Sequence, residues 1–277
     1  MTHTIIAVGG KKVKRCLNCM ENCMDDDNVC PVCGSQNLGC EQDMRKNMLH
    51  GRYLLGTERS QNPREKLFLG WDTLFERKVF VRKSDDYINK TEKALLLKNW
   101  ENSIRLDEVT EILKVLSAFE EDEGVFQILE YPGDRTLFNV LEEIDSLPFK
   151  KVEKMVEKMV YALYNAHEIG VFHGQIMPEC CYLTLYGKLA LMGFKGGSAK
   201  EDVKALSSLA VCCLIGLDKW KNGEEQEIAR SSEEMLEARC PSEWFEVLYR
   251  ILWEQQVPNN LRSFANLLNG AATMEIK

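Results

Sequence analysis

The feature that most constrains this chain is the stretch CLNCMENCMDDDNVCPVCG near its start. Cys16 and Cys19 form one Cys-x-x-Cys turn, and Cys30 and Cys33 form another, with Pro31 inside it and Gly34 behind it. Each turn brings two thiolates together, and two such turns complete a tetrahedral sulfur shell suited to Zn²⁺. A segment this short buries too little apolar surface to fold alone. Metal binding, worth about 10–16 kcal/mol in comparable peptides, would supply its folding energy. All four positions are cysteine, which leaves no coordination place for a substrate, so the zinc is expected to be structural. Cys23 lies inside the cluster as an alternative to Cys19, and Cys40 stands apart.

The other cysteines ask for a different reading. Cys180–Cys181 and Cys212–Cys213 are adjacent pairs inside apolar segments and Cys240 is alone, as expected of small buried hydrophobes. The apolar run Thr4–Val8 is too short for a signal-peptide core, and Lys11, Lys12, Lys14 and Arg15 follow it rather than precede it. A disulfide framework is therefore not expected, and a cytoplasmic location is. The basic run reads as a solvated linker, because the whole chain carries a net charge of −8. That charge argues against nucleic acid and anionic membrane surfaces as partners. No apolar run approaches the roughly 18–20 residues that a membrane span needs.

Beyond the cysteines, 277 residues with 45% hydrophobic content leave ample material for a core. Thr4–Val8 reads as a strand and residues 35–48 as a linker. The runs HGRYLLG, EKLFLGWD and RKVFVRK then read as strands of an antiparallel sheet, completed by Leu113–Phe119 and Val125–Glu130. Between them, Glu92–Leu106 reads as a helix with Leu95, Leu96, Trp100 and Ile104 on one face. From Tyr131 the pattern turns helical. Phe149–Ile169 carries Val152, Met155, Val156, Met159, Val160 and Leu163 at helical spacing, and Asp202–Leu217 is apolar nearly all round, as a deeply buried helix is. Trp244–Trp253 and Leu261–Leu268 read as amphipathic helices. Between the helices lies VFHGQIMPECCYLTLYGKLALMGFKGG, with strands at Cys181–Leu185 and Lys188–Met192 joined by a two-residue Tyr186–Gly187 turn. The fold class is α+β, with a five-stranded sheet and one helix followed by a helical half. Three regions result: residues 1–48 as ribbon and linker, 49–130, and 131–277.

This order of passages, over residues 14–268, resembles a protein kinase of the bacterial Ser/Thr type preceded by a zinc ribbon. HGRYLLG and LGWDTLFERKVFVRK resemble the first three strands of the family. FQILEYPGDRTLFNVL resembles the hinge between lobes and the next helix, and VFHGQIMPECCYL with KLALMGF resembles the catalytic loop, hairpin and metal-binding turn. The resemblance implies a two-lobe kinase-like fold, and it lets each motif position be read in turn. Ser60, Asn62 and Glu65 stand where the family has the glycines that close over nucleotide phosphates. Arg82 matches the third-strand lysine, and the helix glutamate that pairs with it falls at Trp100 or Glu101. His173-Gly174-Gln175 stands for His-Arg-Asp, so an amide replaces the base. Cys180 matches the magnesium-binding asparagine, and Gly193-Phe194-Lys195 matches Asp-Phe-Gly. Seven residues separate Phe194 from Asp202, where the family has its activation segment. His173 and Phe194 match residues of an internal hydrophobic column, and Asp202 matches a buried aspartate that holds the catalytic-loop backbone.

The resemblance thus implies a degenerate member, a pseudokinase, in which Arg82, His173, Gln175, Cys180 and Gly193 mark degenerate positions and none is catalytic. It is expected to serve as a regulatory or protein-interaction subunit with a structural zinc, without ATP or Mg²⁺. Its partner is expected to be a protein, with no nucleic acid and no membrane. The alternative is a divergent Ser/Thr kinase or nucleotide-binding phosphotransferase whose ligands have moved to Glu101, Glu179 or Asp202. A zinc-dependent nucleic-acid adaptor is a third possibility, and the acidic charge counts against it. Trp220, Trp244 and Trp253 are candidates for an exposed partner surface, with ordinary core packing as the favoured alternative.

Overall fold

A computed structural model describes residues 13–39, 44, 46–62, 65–84, 88–121, 124–184, 186–221 and 233–270. The expected strand Thr4–Val8, most of the basic run, Cys40 and Pro63 lie outside them. The chain divides into two compact units, Met1–Glu101 with Val115–Tyr131 and Asn102–Lys114 with Pro132–Lys277.

The first unit holds two antiparallel sheets. The smaller is the ribbon: β1 (Val13–Cys16) lies between β2 (Asn22–Met24) and β3 (Leu38–Gly39). The larger has six strands in the order β4-β5-β6-β7-β9-β8. These are β4 (Met48–Leu49), β5 (Tyr53–Asn62), β6 (Glu65–Asp72), β7 (Arg77–Ser84), β8 (Val115–Glu121) and β9 (Gly124–Glu130). The sixth strand corrects the expectation of five. It and β3 come from the stretch 35–48 taken for a linker, because two-residue strands are too short to show alternation. The β5–β6 ladder shifts register on either side of Glu58 and continues to the pair Asn62↔Glu65. Without glycines there, the backbone continues as a strand instead of opening into a loop.

Val79 and Val81 of β7 pack with Leu49, Tyr53, Phe126 and Ile128. Lys78, Phe80 and Arg82 alternate onto the opposite face. At the β5–β6 end, Asp72 is wholly buried and receives Nε and Nη2 of Arg52, each at 2.7 Å. Burial works against its carboxylate, but Arg52 and the amides of Leu74 and Phe75 outweigh it and hold the pKa below the usual value. Removing Arg52 takes the two-pronged partner from a buried carboxylate and leaves it Arg77 at 3.7 Å and two amides, so Arg52→Ala is expected to cost about 2 kcal/mol in urea unfolding at pH 7. The acid limb gives the sign. With its folded pKa depressed, Asp72 contributes fully above its unfolded pKa of about 3.9 and loses that contribution as pH falls through the folded value. The unfolding midpoint of Asp72→Asn should therefore fall less than the wild-type midpoint between pH 5 and pH 3.

Helix α1 (Lys90–Ser103) starts at a capping arrangement. Asn89 Oδ1 accepts from the amides of Thr91 and Glu92, each at 3.0 Å, and Glu92 Oε2 accepts from the Asn89 amide at 2.9 Å. The expected apolar stripe is not its buried face. Trp100 is buried, yet Leu95 is 60% and Ile104 38% exposed. One large side chain, stacked under an arginine, anchors this helix.

The second unit is mainly helical. It contains α2 (Leu137–Ile144), α3 (Phe149–Glu168), α4 (Ala199–Ile215), α5 (Leu217–Lys221), α6 (Ser242–Leu252) and α7 (Leu261–Leu268). On α3, Val152, Val156, Met159, Val160 and Leu163 are buried, and α4 is buried along most of its length. Trp244 is buried edge-on to Phe149, while Trp220 and Trp253 lie edge-on to one another and half-buried. The hairpin strands are β10 (Cys181–Leu183) and β11 (Leu189–Leu191). Its turn is longer than the expected two residues: the Thr184 amide still donates to the Lys188 carbonyl at 2.7 Å, which encloses residues 185–187. Gly187 takes the left-handed position that such a turn needs, at φ +70°.

Candidate functional site

The ribbon gathers four thiols. One sulfur from each of Cys16, Cys19, Cys30 and Cys33 lies within 4.8 Å of the others, and among the described residues this is the one cluster suited to a metal ion. Cys16 Sγ is 3.6 Å from Cys33 Sγ, and Cys19 Sγ is 3.6 Å from Cys30 Sγ. A tetrahedron with Zn–S bonds of about 2.3 Å has edges of about 3.8 Å, so the set fits zinc. Backbone amides point at the sulfurs, as the turns of the two knuckles dictate: those of Asn18 and Cys19 at Cys16, and those of Val32 and Cys33 at Cys30. Burial opposes the Cys30 thiolate, but these amides and the neighbouring thiols together bring its pKa down to about 6. The Asn18 side chain and then the Ser35 amide lower that of Cys33. Cys23, on β2, is buried beside the set without belonging to it. Zinc bound here would cross-link two knuckles that no apolar core holds together.

In the same unit, Arg82 is buried and donates from Nη1 to Gln127 Oε1 at 2.6 Å. Its guanidinium lies 4.9 Å over the Trp100 ring, while Glu101 is exposed. Of the two candidates on α1, Trp100 is therefore the residue that faces Arg82. Arg82 thus makes a cation–π contact with Trp100 and a hydrogen bond to the Gln127 amide.

In the second unit, one buried carboxylate organises the loop around His173. Asp202 Oδ2 accepts from the His173 amide at 2.9 Å and from His167 Nε2 at 2.7 Å, and its Oδ1 accepts from the Gly174 amide at 2.7 Å. His173 is buried, its ring 4.9 Å from that of Phe194, and Nε2 donates to the Met192 carbonyl at 2.9 Å. The hydrogen bonds use both ring nitrogens, because Nδ1 accepts from the Gln175 amide at 3.3 Å.

Gln175, Cys180 and Gly193 come together beside this histidine. Cys180 Sγ is 3.6 Å from the Gln175 carbonyl, and a Cβ on Gly193 would lie 3.8 Å from Cys180 Sγ and 3.9 Å from the imidazole of His173. Lys195 Nζ donates to Gln175 Oε1 at 2.9 Å. The connection from Phe194 to α4 is short and pinned: the amides of Lys195 and Gly196 donate to the carbonyls of His173 and Phe172 at 3.1 and 3.0 Å. Gly174 must be glycine, at φ +77° and with the Gly196 carbonyl 2.0 Å from where its Cβ would stand.

No protein-family model matches the sequence. The chain is similar to Ser/Thr protein kinases over part of its length. It is 22% identical over 180 residues to CBL-interacting serine/threonine-protein kinase 18 of Arabidopsis thaliana, covering 65% of this chain and 34% of that one. It is 30% identical over 83 residues to Serine/threonine-protein kinase 36 of Mus musculus, covering 30% of this chain and 6% of that one. It is 20% identical over 164 residues to CBL-interacting protein kinase 33 of Oryza sativa subsp. japonica, covering 59% of this chain and 36% of that one. The chain thus spans a third or less, roughly, of the relatives it matches. The α+β architecture with its antiparallel sheet agrees with a kinase-like module. Among the described residues, no helix is long and apolar enough to cross a membrane.

Residue spacing did not reveal the contacts that join the ribbon to the larger sheet. The Leu17 carbonyl accepts from Thr57 N at 2.8 Å and Thr57 Oγ1 at 3.0 Å, and Lys78 pairs with Glu21 at 2.7 Å. The one visible signal was Met20, in the place where the second knuckle carries Gly34.

Proposed function

We propose that this chain is a kinase-like module without phosphoryl transfer, held together at its N-terminal end by a structural zinc and acting as a regulatory or protein-binding subunit. One observation carries the reading. At the positions where a kinase gathers its base and magnesium ligands, this loop gathers Gln175, Cys180 and Gly193, with the ammonium of Lys195 donating to Gln175. Phosphoryl transfer depends on electrostatic clamping of phosphates and metal, and a cation among neutral groups opposes a Mg²⁺ site. Trp100, rather than a carboxylate of α1, faces Arg82, and Ser60, Asn62 and Glu65 stand in place of glycines; both point the same way. Of the carboxylates that an alternative active site would need, Asp202 is committed to the loop backbone.

Thermal-shift titration of the zinc-loaded chain with ATP and Mg²⁺, run alongside an autophosphorylation assay, tests the reading. The melting midpoint is expected to stay unchanged and no phosphate to be incorporated. Stabilisation together with incorporated phosphate would overturn it.

A further inference from the structure

The two knuckles of the ribbon share one backbone turn and differ most in the residue that closes it. The Met20 amide donates to the Cys16 carbonyl at 2.8 Å, and the Gly34 amide to the Cys30 carbonyl at 2.9 Å. Each residue follows the second cysteine of its pair, and both are left-handed, at φ +60° and +70°. Glycine suits that conformation, whereas a side chain there costs about 1–2 kcal/mol. Around Gly34 the space is open, with nothing within 4 Å of where a Cβ would stand. Met20 is instead fully buried, and a Cβ on Gly56 of β5 would come within 2.1 Å of its Cε. The first knuckle accepts a strained side chain, and that side chain fills a notch that only glycine leaves open.

Polar contacts surround this fit. Besides the Leu17–Thr57 and Glu21–Lys78 pairs, Arg59 Nη2 donates to the Asn18 carbonyl at 2.5 Å. Arg15 lies with its guanidinium 3.7 Å over the Trp71 ring. Strand register identifies the covered face. Trp71 pairs with Lys78, Leu69 with Phe80, and Leu67 with Arg82, so these residues share one face of the sheet. The ribbon stands at the Lys78 end of that face, four residues or about 13 Å along the strand from Arg82.

We propose that the ribbon is a built-in cover for the face of the sheet that carries Arg82, and that zinc keeps it shut by fixing the Cys16–Cys19 knuckle. A nucleotide with its phosphates at Arg82 would have to lie along the strip toward Phe80 and Lys78, where Leu17, Met20 and Glu21 stand. Naming nucleotide as the excluded molecule rests on the kinase-like reading above; the docking does not. Without the metal, the burial of Met20 and the polar contacts around it stand alone against the strain of its left-handed backbone, and the knuckle loosens from Gly56.

Hydrogen exchange with mass spectrometry on the full chain tests this in three states: zinc-loaded wild type, zinc-loaded Met20→Gly, and wild type treated with EDTA. Met20→Gly eases the backbone and keeps all four cysteines, so zinc is retained while the side chain that fills the notch is gone. Peptides covering 53–57 and 67–72 are expected to exchange roughly tenfold faster in both altered states, with the Thr57 amide the most sensitive because its acceptor is the Leu17 carbonyl. Peptides from α3 should stay protected. If EDTA also releases α3, the Met20→Gly comparison decides alone. Unchanged exchange at 53–57 and 67–72 in Met20→Gly, or acceleration confined to 13–39, overturns the cover. Phosphoryl transfer by the wild type would sink the non-catalytic reading and leave this exchange result standing.

Discussion

Asp202→Ala should destabilise the helical unit by about 3–5 kcal/mol, the largest effect expected of any single substitution outside the ribbon. The carboxylate is completely buried and satisfies two backbone amides and His167 together. A buried donor left without a partner costs about 1–3 kcal/mol, and alanine leaves the buried His173 amide and two partly buried donors, on Gly174 and His167, without theirs. Asp202→Asn should cost less, because one oxygen remains to accept while the new amide faces a donor. Urea unfolding followed by circular dichroism measures both variants. A loss under 1 kcal/mol for Asp202→Ala would show that water or a rearranged loop replaces the carboxylate easily. Because the loop from Phe172 to Gln175 hangs on this residue, the same variant should also raise proteolytic sensitivity there.

Cys30→Ser should abolish zinc binding and unfold the ribbon. Each of the four thiols is a ligand in an otherwise coreless segment, and zinc contributes about 10–16 kcal/mol to such folds. Zinc per chain, measured by mass spectrometry or with a chromogenic chelator, should fall to near zero, and residues 13–39 should become protease-sensitive. The helical signal at 222 nm should persist, because the second unit has its own core around α3 and α4. Cys23→Ser supplies the contrast: it should leave zinc binding intact, since Cys23 is outside the converging set. Equal loss of zinc in both variants would mean that five thiols share the site.

The helical unit was the part of this chain most legible in the sequence. Periodicity placed Val152, Val156, Met159, Val160 and Leu163 in the core, because a long helix averages over many residues, and the apolar spacing of Leu261–Leu268 marked α7. The four thiols were equally plain, since ligand spacing is local. Less was visible where a single contact decides the outcome. Spacing could not say whether Trp100 or Glu101 faces Arg82, because consecutive helical residues differ by about 100° and only the packed sheet selects one. The apolar stripe on α1 misled for a related reason: Leu95 is apolar and still exposed, as many leucines are. The hairpin turn was short by one residue, because Tyr-Gly marks a turn without fixing how far the ladder runs. The fit of Met20 against Gly56 has no sequence period at all. It depends on a backbone angle and on two residues that meet only in the folded sheet.

The short connection after Phe194 has one more consequence. Loops of kinases commonly serve as switches because a phosphate can order them through new charge pairs. Here residues 195–198 reach α4 almost directly, with two of their amides already bonded to the loop around His173. Their one hydroxyl, on Ser198, accepts the Glu201 amide as the cap of α4. A phosphate at that point would find no slack chain to organise. This joint ties the loop around His173 to the first turn of α4 with little free chain between them.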